Sequence, residues 1–315
     1  MPQVEPADEY RHNPDPDVEL WNESYYLDWF SPDLSVGGYV RIGFYPNVGD
    51  AGAVWYWACL VGEGRPLVTV IDHEVAMPRS QDSMEVRGEG LWADHTIESA
   101  NEHMSVNLEA FGLALDDPAA VYGDPRGDRV PFGFELDFYT DRAAYQWPPI
   151  TPRYEIPCRV QGEVQVGDEK LAVEGWGQRD HSWGAARDWW AHQWSWSAGR
   201  LDDGTRFHGV GGLIPEHDWG VSYRLDPGSS DFAESDEVTL EVVEGRERLP
   251  ESTKLGYCGL ELSVTPLAFS PVGLVHPADG RLARFPRALA RFDNADGRTG
   301  GGWIEWNQPP EAGDA

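Results

Sequence analysis

Alternation of apolar and polar residues with a period of two restricts the fold of this chain more than any other feature. From Tyr39 to Phe44, Val40, Ile42 and Phe44 fall on one side and Tyr39, Arg41 and Gly43 on the other. Met104 to Leu113 sets Val106, Leu108 and Ala110 against Ser105, Asn107 and Glu109, and Phe132 to Phe138 sets Phe134, Leu136 and Phe138 against Glu135 and Asp137. Successive side chains on a strand point to opposite faces, so this pattern predicts half-buried antiparallel strands. Strand-like text recurs at 160–166, 171–176, 206–213, 219–225, 238–243, 260–264 and 303–306. Helical three-four spacing is confined to two short stretches, Asp141 to Gln146 and Ala185 to Trp190, and the 35 glycines and 24 prolines break up anything longer. Many short strands separated by turn residues predict barrels or sandwiches. No motif repeats at a fixed short period, which excludes a propeller or solenoid.

A chain of 315 residues can bury one large β domain or two ordinary ones. Residues 1–20 are acidic and proline-punctuated and read as an arm. Pro148, Pro149, Pro152 and Pro157 interrupt the alternation, and a central strand cannot run through residues that lack the backbone donor. The expected division is therefore an N-terminal β domain over 21–147, a boundary at 148–157, a C-terminal β domain over 158–309 and a tail at 310–315.

Acidic residues outnumber basic ones by 54 to 24, a formal net charge of −30. Nucleic-acid binding needs a basic stripe, and docking on anionic membranes needs basic clusters; the sequence shows neither. Only Lys170 and Lys254 are lysines, the other 22 basic residues being arginine. A densely acidic, lysine-poor surface fits a halophilic protein kept soluble in high salt, where screening removes self-repulsion. The N-terminus has no apolar signal-peptide core, and the longest apolar run, Ala51 to Val61, is too short for a membrane helix. Cys59, Cys158 and Cys258 are odd in number and widely spaced, so neither a disulfide framework nor a zinc knuckle is encoded. Together these features predict a cytoplasmic protein with no stable membrane insertion.

The most informative segment runs from Gly175 to Trp196. It holds six of the fifteen tryptophans, with Arg179, Asp180, His181, Trp183, Arg187, Trp189, Trp190, His192 and Trp194 in close succession. Charged groups interleaved with large aromatics describe the wall of a ligand cavity. A carboxyl among indole rings is desolvated and tends to keep its proton near neutrality, so Asp180 can serve as a general acid. His181 can orient or exchange that proton, provided a bulge turns both residues toward one cavity. An ion pair of Asp180 with Arg179 or Arg187 is the competing structural reading, and core packing competes for the tryptophans. Glu305, between Ile304 and Trp306, reads as a second acid/base group or as a buried hydrogen-bond partner. No metal is expected: His181 and His192 with the intervening Asp188 lack an H-x-H or HExxH spacing. No nucleotide loop and no GxSxG elbow is present, and no cofactor is expected.

The decapeptide GWGQRDHSWG at 175–184 resembles the G-x-G-x-x-D-H-x-W-G signature of the lipocalin-like carotenoid 1,2-hydratase (hydroxyneurosporene synthase) and AttH superfamily. The blocks WNESYY, GGYVRIGFYPN and DGRTGGGWIEWN are similar to the ends of a large bacterial and archaeal branch of it. The resemblance implies an all-β protein of two consecutive lipocalin-like antiparallel barrels with very little helix. It also implies acid/base chemistry on an apolar small molecule. Gly175, Gly177, Asp180, His181, Trp183 and Gly184 match the signature. Gln178, Arg179 and Ser182 depart from the Tyr-His and Asn of typical members, and Arg179 beside the acid fits a polar or anionic head group.

Three functions follow. The first is a hydratase, cyclase or isomerase of an isoprenoid-like molecule, with Asp180 and His181 catalytic and Arg179, Trp183, Arg187, Trp189, Trp190, His192, Trp194 and Glu305 lining the cavity. The second is a carrier of a hydrophobic ligand, lipid or pigment, which needs a lined cavity and no chemistry. The third is carbohydrate processing, with Asp180 and Glu305 facing each other across an open groove.

Overall fold

A computed structural model describes residues 4–184, 189–214 and 217–310. Among them are 22 strands, three single-turn 3-10 segments and no α-helix, and no helix is long and apolar enough to cross a membrane. The first eleven strands are β1 (Asn22–Phe30), β2 (Val36–Tyr45), β3 (Ala53–Gly62), β4 (Leu67–Val75), β5 (Glu85–Gly88) and β6 (Leu91–Ser99), then β7 (His103–Leu115), β8 (Asp128–Thr140), β9 (Tyr145–Gln146), β10 (Arg153–Val166) and β11 (Glu169–Gly184). They form one antiparallel sheet in the order β4-β3-β2-β1-β11-β10-β8-β7-β6-β5, with β9 on β10. Pairing of β4 residues 67–69 with β7 residues 113–115 joins the two sides into a nearly closed barrel.

The second sheet comprises β12 (Gln193–Leu201), β13 (Arg206–Ile214), β14 (His217–Leu225), β15 (Phe232–Ser235), β16 (Val238–Val243), β17 (Ser252–Tyr257) and β18 (Leu260–Phe269). After β19 (Val272–Val275) and β20 (Leu282–Phe285), which pair only with each other, it is completed by β21 (Arg287–Asn294) and β22 (Thr299–Asn307). Its order is β15-β14-β13-β12-β22-β21-β18-β17-β16. The all-β expectation and the strand positions read from the alternation hold.

Three apolar clusters follow from the alternation. Tyr25, Leu27, Trp29, Val40, Ile42 and Phe44 help fill the first barrel. Phe207, Leu255, Ile304 and Trp306 lie in a separate core belonging to the second sheet. Residues of the opposite parity, among them Tyr26, Tyr39 and Trp57 from one sheet and Trp196, Tyr223 and Trp303 from the other, form a third cluster between the sheets. Polar bonds stitch this layer: Trp303 Nε1 donates to the Trp29 carbonyl (3.0 Å), Tyr39 Oη to the Ser270 carbonyl (3.1 Å) and Arg206 Nη2 to the Cys158 carbonyl (2.7 Å).

Two sequence expectations differ from the structure. The chain leaves its first sheet after Gly184 rather than at 148–157, so the decapeptide belongs to the first barrel. Proline permits this because the residue inside β10, Pro157, sits where the neighbouring strand is interrupted. Its carbonyl, on the same side as its hydrogen-free nitrogen, accepts from Asp141 N–H (2.7 Å), in the gap between β8 and β9. Asp141 to Gln146 is not helical: Arg142 has φ +81° and Tyr145–Gln146 pair with β10. The second short helical stretch, Ala185 to Trp190, lies largely outside the described residues.

The contact of β1 with β11 is close enough to require glycine. A methyl group on Gly177 would lie 1.9 Å from the Asp28 carbonyl oxygen, a backbone atom that cannot swing away. Gly177→Ala is expected to destabilise the fold by about 3 kcal/mol, at the upper end of ordinary overpacking. Urea unfolding of the variant against the wild type measures this, and an unchanged midpoint would contradict the close approach.

Candidate functional site

Register decides which of the candidate residues meet. β11 pairs with β1 without a break from Trp176↔Phe30 to Gly184↔Asn22, and with β10 from Ser182↔Arg153 onward. There is no bulge at residues 180–181, so Asp180 and His181 face opposite sides of the sheet. Asp180 stands in a cross-strand row with Tyr26, Arg41 and Trp57 on one side and Glu155 and Tyr145 on the other. That row faces the second sheet. His181 stands opposite Tyr25 and Tyr154 and faces the interior of the first barrel.

Inside the barrel, His181, Arg179 and Trp183 hold the N-terminal arm. Arg179 is ion-paired with Glu9. His181 stacks on Tyr25 (3.9 Å between centroids), and its Nδ1 lies 2.9 Å from the Asp8 carbonyl. Its Nε2 is 3.1 Å from Glu23 Oε1, the same oxygen that meets His12 Nδ1 at 2.8 Å. His12 in turn stacks on Trp183 at 3.9 Å. The ligand atoms of His12, Glu23 and His181 lie within 4.8 Å of one another, near enough for a metal ion; this is a different trio from the one weighed in the sequence. Burial opposes ionisation of Glu23, yet the two imidazoles hold its carboxyl down to about 2.

Between the sheets lies a second polar cluster, and Asp180 and Glu305 belong to it. Arg153 bridges two carboxylates, with Nη2 2.7 Å from Asp180 Oδ2 and Nε 2.7 Å from Glu155 Oε1. Glu155 also accepts from Gln178 Nε2 (3.1 Å) and Trp196 Nε1 (3.3 Å), and Tyr223 Oη donates to Gln178 Oε1 (3.2 Å). From the second sheet, Glu305 is ion-paired with Arg287, whose guanidinium lies 3.7 Å from the centre of the Tyr39 ring and 4.5 Å from that of Tyr26. Asp28 accepts from the Gln178 N–H at 3.1 Å.

Four carboxyls, Asp28, Glu155, Asp180 and Glu305, thus face two paired guanidiniums, Arg153 and Arg287, and all six are buried. Burial raises the Asp28 carboxyl well above its ordinary value, against the hydrogen bond from Gln178. Burial also raises Glu305, the nearby Asp180 adding to it while Arg287 and Arg153 pull the other way. For Arg287 and Arg153 burial works against the charge, and the facing carboxylates overcome it. The imidazole on this side is His208. Its Nδ1 lies 3.1 Å from the Ser197 carbonyl and its Nε2 3.5 Å from Glu155 Oε1. Burial and Arg153 push its pKa well below the usual value, leaving a neutral ring.

The remaining candidates divide. Trp189 and Trp190 are buried in the layer between the sheets, with Trp194 half-buried against Trp189 (5.5 Å). Trp190 Nε1 donates to the Leu274 carbonyl (2.8 Å). His192 is exposed, and its carbonyl accepts from Asn307. Arg187 lies outside the described residues. The sequence reading missed Asp28, Arg153, Glu155, His208 and Arg287. Each is a polar residue set in an apolar strand, which signals burial with a partner, but the partner is fixed only by cross-strand pairing.

An all-β chain of two strand layers joined by an aromatic, charge-rich face has the lipocalin-like fold of AttH-type proteins. The chain belongs to the family described as a domain of unknown function, DUF7064, whose model matches residues 5–310. Three solved structures share the fold. An AttH-type protein of Nitrosomonas europaea is 14% identical with a TM-score of 0.68, covering 97% of each chain. Kievitone hydratase of Nectria haematococca is 12% identical with a TM-score of 0.60, covering 98% of this chain and 94% of its own. CghA is 8% identical with a TM-score of 0.58, covering 95% and 94%. No curated protein matches by sequence.

The Glu23 clasp carries a pH signature. A carboxyl held at about 2 in the fold and at 4.5 when unfolded contributes roughly 3 kcal/mol, present in full above pH 4.5 and lost as pH falls toward 2. The stability gap between wild type and Glu23→Gln is expected to shrink by about 2 kcal/mol between pH 6 and pH 3. Urea titrations at the two pH values measure it; a gap that stays constant would contradict the clasp.

Proposed function

We propose that the chain is an acid/base enzyme acting on an apolar, isoprenoid-like small molecule between its two sheets, as a hydratase, cyclase or isomerase. The observation that carries this reading is the clustering of buried carboxyls: Asp28, Glu155, Asp180 and Glu305 share one layer, and burial raises both Asp28 and Glu305. Of the four, Asp180 and Glu305 keep the most contact with accessible space, at 5% and 7% exposure, against 1% for Asp28 and 0% for Glu155. Glu305, raised by burial and by Asp180, is the proton donor. Asp180, held by Arg153, is the acceptor, in place of the donor role expected from sequence. His208, not His181, is the imidazole within reach of this network. The rings of Tyr26, Tyr39 and Trp196 supply the faces that stabilise a cation developing on the substrate. Arg179, His181 and Trp183 belong to the arm rather than to this site.

The fold neighbours support the reading, since one is named a hydratase. The carbohydrate alternative is disfavoured because neither Asp180 nor Glu305 lies in an open groove. The carrier alternative is separated by experiment. Wild-type protein, Glu305→Gln and Asp180→Asn are incubated in D₂O with an isoprenoid and lipid extract, and products are read by mass spectrometry. A gain of one D₂O identifies a hydratase, and deuterium at unchanged composition a cyclase or isomerase. Each variant is expected to lose at least about 100-fold in rate. A ligand retained unchanged by all three proteins would make the chain a carrier.

A further inference from the structure

Five arginines are buried in the described residues: Arg41, Arg153, Arg179, Arg206 and Arg287. Four face a carboxylate, respectively Asp180 with Glu155, Glu9, Asp141 and Glu305. Arg41 does not. Only 3% exposed, it donates from Nη2 to Tyr45 Oη (3.2 Å), and its Nη1 has no hydrogen-bond partner. A buried guanidinium without a counter-charge is costly, and its N–H donors need acceptors. The surrounding rings offset only part of this: the guanidinium carbon lies 4.5 Å from the Trp57 ring centre and 5.9 Å from those of Trp189 and Tyr45. His73 does not supply the missing anion. It accepts from Trp57 Nε1 at 2.7 Å, and burial with the nearby Arg41 pushes its pKa down to about 4. The sequence makes room for the unpaired group, since a methyl on Gly43 would lie 2.4 Å from Arg41 Nη1.

The position of Arg41 relates it to the acid/base groups. It shares a cross-strand row with Tyr26 and Asp180, so its backbone is two strand spacings, about 10 Å, from that of Asp180. Trp57 is its neighbour on the other side, and Arg287 also lies over that indole, at 5.9 Å. The geometry points to Arg41 as the anchor for an anionic head group of the ligand, a carboxylate whose apolar body runs along Tyr26 toward Asp180 and Glu305. One guanidinium balances one charge, which favours a carboxylate over a doubly charged phosphate monoester. This deepens the proposed function and rests on it only for which end of the ligand reacts.

The probes are farnesoate, decanoate and methyl farnesoate, titrated into wild type, Arg41→Met and Arg41→Lys with tryptophan fluorescence as the readout. Wild type is expected to bind farnesoate about 100-fold more tightly than its methyl ester. Arg41→Met should abolish that preference while leaving ester binding unchanged, and Arg41→Lys should keep part of it. Because Arg41 has no anionic partner to orphan, Arg41→Met should also melt no lower than wild type. Equal binding of acid and ester by wild type, a preference that survives Arg41→Met, binding of none of the probes, or a variant that melts far below wild type would each overturn the assignment. An acid preference without deuterium exchange would leave the anchor standing and remove the enzyme. Exchange into substrates without an acid preference would do the reverse.

Discussion

The pleat of β11 is the constraint on which the rest depends. With its register to β1 and β10 unbroken, odd residues must enter the first barrel and even residues must face the second sheet. One ten-residue segment therefore serves two unrelated purposes. Arg179 and His181 clasp the arm, while Gln178 and Asp180 build the polar network between the sheets. A bulge would have merged these purposes. Its absence separates the imidazole from the acid that sequence proximity suggests it serves.

Charge on this molecule is handled in two regimes. On the surface, pairs such as Arg87 with Glu85 and Lys254 with Glu241 are solvated and contribute little. Between the sheets, desolvation is severe and an ion without a partner is costly. The paired cations there, Arg153, Arg206 and Arg287, are arginines. A guanidinium can bridge two carboxylates, as Arg153 does, and can lie over rings, as Arg287 does on Tyr39 and Tyr26. Burial also pushes the Asp28 and Glu305 carboxyls toward their protonated forms, so the layer is more than a set of ion pairs.

Much of the fold was legible because alternation reports burial directly. Val40, Ile42 and Phe44 separate from Tyr39 and Arg41 in sequence just as they separate between the barrel interior and the inter-sheet layer. The proline cluster was less informative. Pro157 interrupts only one edge of its strand, and sequence does not say which edge is already open. The site was legible in part. Asp180, Glu305 and the indoles of Trp189 and Trp190 do lie in one layer, but Arg153, Glu155, Asp28 and Arg287 come from other strands, brought in by non-local pairing. The catalytic assignment of His181 met the same difficulty, because neighbours in sequence are opposites in a strand.

In each large sheet the first strand pairs with the last, β1 with β11 and β12 with β22. Neither sheet can satisfy the inner edge of its opening strand until the whole unit has been synthesised, about 160 residues for the first and more than 100 for the second. Folding must therefore wait on long-range closure, and unpaired edges stay exposed on the nascent chain throughout. The dense negative charge of the sequence acts during that interval as well, keeping partly folded chains apart until the final strand arrives.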